Sequence, residues 1–231
     1  MNDHRRHSAE KSPHAKSMGT SKQPAEPQDA ARLYLVTPPV SAAREIEDDL
    51  ARALNAADIA AVLLRLAPGD ERELTKCVAD LRILIQSNGA ALILDNQPAL
   101  VAPTQADGAH LESAEALVGA APSLKPNFIV GCGGLSSRHD AMLAGESGAD
   151  YVMFGEPDTS GHRPGFEAVR ERVSWWSEIF QIPCVGYAAS LDEAEALAHA
   201  RADFVALDDK IWRDPRGVEA AVKRLAMEPA R

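Results

Sequence analysis

The sequence predicts a (β/α)8 barrel, and three observations predict it. Short apolar runs alternate eight times with stretches of helical period, at roughly even spacing over about 200 residues. The runs are continuously apolar rather than alternating, as strands covered by helices require. Helix-ending turns, Gly148-Ala149-Asp150 and Arg201-Ala202-Asp203, stand directly before strands. The competing architecture is an open doubly wound sheet, but no GxGxxG follows the first strand to support a dinucleotide site there.

The elements follow in order. Leu33–Thr37 (LYLVT) is the first strand, with a helix over Ala42–Asn55; Ile59–Leu64 (IAAVLL) is the second, with a helix over Glu71–Ser87 introduced by Pro68-Gly69-Asp70. Ala91–Leu94 (ALIL) precedes a short helix at Pro98–Thr104, and Gly108–Leu111 (GAHL) another at Ala114–Val118. Phe128–Gly131 leads to a helix over Ser137–Ser147, and Tyr151–Phe154 to one over Phe166–Phe180. Pro183–Tyr187 precedes Leu191–Ala200, and Phe204–Leu207 precedes the closing helix Val218–Met227.

Residues 1–30 are read as a disordered tail ahead of a barrel over 31–231. Histidines, arginines, Ser, Pro and Gln dominate the tail, and it is too poor in aliphatic residues to offset the entropy of ordering. It lacks the apolar stretch of a signal peptide, and Asp3, Glu10, Glu26 and Asp29 argue against a transit peptide. The formal net charge of −10 disfavours nucleic acid and anionic membranes as partners, since both demand positive fields. Cys77, Cys132 and Cys184 are widely spaced and odd in number, which suits a reducing cytoplasm better than a disulfide scaffold. The apolar runs fall far short of a membrane span.

A barrel of this kind carries its chemistry at the carboxyl ends of its strands. Arg65 ends an apolar strand, where a guanidinium can clamp a phosphate or pair with Glu71 or Glu73 on the next helix. Asp95 closes the third strand and Glu112 and Glu115 follow the fourth; two such carboxylates can hold a Mg²⁺ that bridges a substrate phosphate. Glu115 also reads as a first-turn acid favourable to the helix dipole. The segment Val130–Ser136 (VGCGGLS) is glycine-rich ahead of a helix: an anion site, or a tight turn with Ser136 or Ser137 as cap. Cys132 reads as a small buried residue. The polar segment Glu156–Gly165 (EPDTSGHRPG) offers His162 and Arg163 as its cationic groups, either as a substrate loop or as a solvated connector.

Taken together, LYLVT, the arginine ending strand two, Asp95, ADGAHLESAE at Ala106–Glu115, FIVGCGGLSSRHDAMLAGESGADYVMFGEP at Phe128–Pro157 and IPCVGYAASLDEAEAL at Ile182–Leu197 resemble thiamine-phosphate synthases and their thiazole-tautomerase relatives. The resemblance spans about residues 33–225. It implies a (β/α)8 barrel that joins hydroxymethylpyrimidine diphosphate to a thiazole phosphate, using Mg²⁺ and releasing pyrophosphate. It also implies metal binding at Asp95 and Glu115, substrate contacts at Arg65, Asn96, His110, Gly133, Gly134 and Ser136, and catalytic roles for Arg65 and Arg163.

Departures from the family pattern are specific. The strand-two Gln-Leu-Arg-Glu-Lys is Leu63-Leu64-Arg65-Leu66-Ala67 here, and the Asn-Asp pair is Leu94-Asp95. The serine after strand five aligns with Gly133, and the Thr-Lys loop gives way to Asp158–Arg163. The Gly-Gly turn after strand seven reads Ala188-Ala189, the Ile-Ser after strand eight reads Asp208-Asp209, and the tautomerase histidine aligns with Leu135. Three readings stay open: a divergent synthase, a degenerate member that binds a thiamine-related ligand, or a barrel enzyme using His110, Asp208 or Asp209 as acid or base.

Overall fold

A computed structural model describes residues 31–158 and 160–225. The tail expected over residues 1–30 lies outside them, as do the last two positions of the helix expected over 218–227. Eight parallel strands close into a barrel in chain order: β1 (Arg32–Val36), β2 (Ile59–Leu64), β3 (Ala91–Asp95), β4 (Gly108–Leu111), β5 (Ile129–Cys132), β6 (Tyr151–Phe154), β7 (Cys184–Ala188) and β8 (Phe204–Leu207). The predicted fold class is the one observed.

Successive side chains of a strand point to opposite faces, so every strand but β4 feeds two apolar cores. Leu35, Val62, Leu94, Val130, Val152 and Phe154 pack outward against the helices. Tyr34, Leu63, Ile93, Tyr151, Met153 and Tyr187 fill the barrel interior as a separate cluster. That double demand explains the unbroken apolar runs. Gly131 of β5 makes room for Tyr151: a Cβ there would lie 2.0 Å from the Tyr151 Cζ. The ring therefore crosses the interior, and its hydroxyl serves the layer above.

The helical layer comprises α1 (Glu47–Ala56), α2 (Glu71–Ser87), α3 (Pro98–Thr104), α4 (Ala114–Leu124), α5 (Arg138–Glu146), α6 (Phe166–Ile179), α7 (Leu191–His199), α8 (Asp209–Trp212) and α9 (Gly217–Leu225). Three differ from expectation. The helix expected over 42–55 is broken at Ile46, whose φ of −135° separates a 3₁₀ turn at Ala43–Glu45 from α1. Burial of the Ile46 side chain holds that kink. Helix α4 runs on past Gly119 and Pro122 because Leu117 and Leu124, two turns apart, both bury against the barrel. The extra helix α8 starts where the Asp208 carboxylate accepts the Lys210 N–H at 3.0 Å, and it is anchored by Trp212, whose Nε1 donates to the Val36 carbonyl at 2.7 Å.

Candidate active site

The carboxyl ends of β2, β3 and β4 bring together Arg65, Asp95 and His110. Thr37, fully buried, accepts the Arg65 backbone N–H at 2.9 Å through its hydroxyl and so fixes where β2 ends. The Arg65 guanidinium turns inward to Asp95, with Nε to Oδ2 at 3.4 Å, not to Glu71 or Glu73. The two side chains remain 21% and 31% exposed, so this pair still faces the mouth. Burial raises the Asp95 carboxyl above its ordinary value; the Arg65 charge opposes the rise and the Glu112 charge adds to it. Glu112 is thus the carboxylate whose field reaches Asp95. Glu115 stands exposed in the first turn of α4, where it favours the helix dipole. Asn96 takes a left-handed conformation, φ 52°, and donates its N–H to the His110 carbonyl at 2.7 Å, with its side chain exposed.

His110 is buried, with Nδ1 3.0 Å from the Tyr151 hydroxyl, which in turn lies 2.9 Å from the Tyr34 hydroxyl. Burial, with the Arg65 charge, pushes the imidazole down to about 3. It is neutral at physiological pH. The two tyrosines are raised by burial and stay protonated. This chain forms an uncharged, aromatic floor.

At the end of β5, Gly133 faces two polar groups at once. A Cβ there would lie 2.0 Å from Glu156 Oε1 and 2.5 Å from His110 Nε2, so the missing side chain is the space they share. Gly134, at φ 64°, donates its N–H to Glu156 Oε1 at 2.5 Å, and a Cβ on it would strike the Glu112 carbonyl at 1.9 Å. Burial pushes the half-buried Glu156 carboxyl up to about 7, despite that N–H and the Arg65 charge, which both favour the anion. The glycine loop therefore already holds a carboxyl group of the protein's own. Ser137 caps α5, accepting the Asp140 N–H at 3.1 Å, while Ser136 donates to Asp140 at 2.9 Å and points away from the mouth's polar cluster. Cys132 is buried, its thiol pushed up to about 12 by burial.

On the β6–β8 side the guanidinium of Arg163 is held through Nε and Nη2. Nε donates to the Gly155 carbonyl at 2.9 Å, and Nη2 donates to the Tyr187 carbonyl at 3.2 Å and to Glu193 Oε2 at 3.1 Å. Its carbon sits 5.0 Å over the Tyr187 ring. The same Glu193 oxygen accepts the Ala189 N–H at 2.7 Å. The Tyr187 hydroxyl donates to Asp208 across the mouth. Asp209 is raised by burial and by the neighbouring Asp208 charge.

The sequence of residues 33–211 matches the family model described as thiamine monophosphate synthase. The chain belongs to that family. It is 39% identical over 200 residues to the thiamine-phosphate synthase of Rhodospirillum centenum, covering 83% of this chain and 94% of the relative. It is 34% identical over 216 residues to that of Hyphomonas neptunium, covering 86% and 94%. The solved thiamine phosphate pyrophosphorylase of Pyrococcus furiosus superposes with a TM-score of 0.69 at 24% identity, covering 84% of this chain and 95% of that one, which establishes the shared fold.

Within this family member, Arg65, Asp95, His110 and Gly133 converge on one mouth, whereas Glu115, Asn96 and Ser136 lie on its margin. Glu156 and Glu193 are the residues that sequence reasoning passed over. Glu156 follows the buried end of β6 directly, and that position was its signal. Glu193 looked like any first-turn acid of a helix. Among the described residues no group of three or more His, Cys, Asp or Glu could hold a metal, and no helix is long and apolar enough to cross a membrane.

Proposed function

We propose that this protein joins hydroxymethylpyrimidine diphosphate to a thiazole phosphate with release of pyrophosphate, the coupling that builds thiamine phosphate. The observation that carries the reading is the Arg65–Asp95 pair, side by side on adjacent strands and open to the mouth. The C–O bond to the diphosphate breaks, and the thiazole nitrogen lone pair forms the new C–N bond; no protein nucleophile is needed. Arg65 holds diphosphate oxygens and stabilises the negative charge that grows on the leaving group. Tyr34, Tyr151 and neutral His110 give the pyrimidine ring an uncharged bed, so positive charge developing on the ring meets no buried cation below. Positioning of the two rings supplies much of the remaining acceleration.

Asp95 suits one ligand position of a Mg²⁺, because that ion binds through one or two carboxylates and completes its shell with substrate phosphates and water. Glu112, whose charge acts on Asp95, is the better second acid than Glu115, although both are exposed. The ion, when bound, neutralises the diphosphate and makes it a better leaving group. Three buried, free thiols suit a reducing cytoplasm.

The test supplies the full chain with hydroxymethylpyrimidine diphosphate, the thiazole phosphate and Mg²⁺, and follows pyrophosphate and thiamine phosphate together. The reading predicts their formation in equal amounts and a loss of about 100-fold or more in Asp95→Asn. Pyrophosphate release without coupling, or no release, contradicts it.

A further inference from the structure

The polar atoms on the floor of the mouth bond to one another. Tyr34, Tyr151 and His110 Nδ1 form one chain, and the interior position next to it on β2, Leu63, is apolar and buried. Arg65 and Asp95 face each other on the β2–β3 side. A heteroaromatic ring laid on this floor brings polar edge atoms with it, and leaving them unpaired would undo much of the gain from contact. One group stands ready to meet them. Glu156 Oε1 accepts the Gly134 N–H and lies beside the Cβ position that Gly133 leaves empty, a gap onto which His110 Nε2 also opens. Among the described residues no side chain donates to this carboxyl; its hydrogen bonds come from the backbone. Its charge acts on both floor tyrosines, and those of Arg65 and Asp95 act on it, as expected of a group inside the same mouth. A carboxylate that only supports a fold is usually paired with a cation or left in water. Glu156 has neither arrangement: it is half-buried, and burial lifts its carboxyl to about 7. When protonated it presents an O–H donor beside an oxygen acceptor that keeps a spare lone pair. An aminopyrimidine presents the complement, a ring-nitrogen acceptor beside an exocyclic N–H donor.

We propose that Glu156 is the specificity determinant for the pyrimidine ring, Oε2 donating to the ring nitrogen and Oε1 accepting from the neighbouring amino group. This rests on the coupling reading above and deepens it, naming the residue that recognises the ring while Arg65 holds the diphosphate. The gap at Gly133 gives the ring edge its access to the carboxyl, and a side chain there would close it. Rings without the amino group leave one carboxyl oxygen unmatched and are selected against.

The experiment is calorimetric titration of the full chain, in the presence of Mg²⁺, with three probes: hydroxymethylpyrimidine diphosphate, its analogue with hydrogen in place of the amino group, and inorganic pyrophosphate. The wild type is expected to bind the amino compound more tightly than the analogue by about tenfold or more. Glu156→Ala should bind the two pyrimidines alike by losing affinity for the amino compound, with pyrophosphate affinity within about twofold of wild type. Glu156→Gln again sets a donor beside an acceptor, so it should recover the preference to within about threefold. A carboxyl that only holds the Gly134 loop would instead weaken all three probes together in Glu156→Ala, and that result overturns the proposal. Equal binding of the two pyrimidines by the wild type overturns it as well, whatever the variants do. Pyrophosphate release with the thiazole phosphate as acceptor tests the coupling reading separately. Coupling without amino selectivity sinks the proposal alone, and amino selectivity without coupling sinks that reading alone.

Discussion

On the β2–β4 side of the mouth, Arg65 meets Asp95 through one contact of 3.4 Å and both groups keep an exposed edge. On the β6–β7 side, Arg163 donates to two carbonyls and a carboxylate and covers an aromatic ring. The two arginines are almost equally exposed, at 21% and 22%, and differ in how many contacts hold them. Availability of a charge, rather than its presence at the rim, decides what the rim can bind.

Breaking the shared space between the two sides should have the largest effect on stability. Gly133→Ala drives a methyl into both Glu156 and buried His110, and should cost about 1–3 kcal/mol in chemical denaturation. A loss under about 0.5 kcal/mol would show that the two side chains part freely.

Glu156→Gln sharpens the comparison through pH. The Glu156 carboxyl titrates near 7 when folded and near 4.5 when unfolded, so the folded state binds the extra proton between those values. Its contribution therefore weakens stability as pH rises from 4.5 to 7. His110 acts in the opposite sense: it is depressed from 6.5 to about 3, so stability falls as pH drops through that window. The Gln variant should lose the first trend and keep the second. Discounted for partial exposure, the change amounts to about 1–2 kcal/mol across the window, readable in thermal melts at stepped pH.

The smallest effects belong to the margin. Glu115→Ala should change coupling by less than about twofold and stability by only a few tenths of a kcal/mol, since it loses just a dipole contact. Glu112→Ala should weaken the Mg²⁺ dependence measurably in the same assay. If the order is reversed, the second acid has been misplaced.

The barrel could be read from the chain because eight apolar runs, most of them serving two cores, leave a hydrophobic signature that a sheet with one solvated face would not need. Arg65 and Asp95 stood out as candidates because a charged residue at the end of such a run has few other reasons to be there, and His110 because it interrupts one. The pairing of Arg65 was not, since Glu71 and Glu73 are near in sequence while Asp95 is near only through the parallel β2–β3 register. Arg163 shows the same gap. A cation in a polar loop looks free until the fold brings Glu193 and two strand-end carbonyls to it. Glycines 133 and 134 read either as an anion site or as a tight turn; only the structure reveals that the Gly134 N–H is taken by Glu156 and the Gly133 N–H by the Leu111 carbonyl.

The most direct test of the division between the two sides compares Arg65→Ala with Arg163→Ala in one pair of measurements, coupling rate and melting temperature. Arg65→Ala should lower kcat/KM by about 100-fold or more with a melting temperature within about 2 °C of wild type. Arg163→Ala should lower the melting temperature by several degrees, at about 2–4 °C per kcal/mol for a chain of this size, with kcat/KM falling less than about tenfold. The opposite pattern, in which Arg163 carries the rate and Arg65 the stability, would contradict the account.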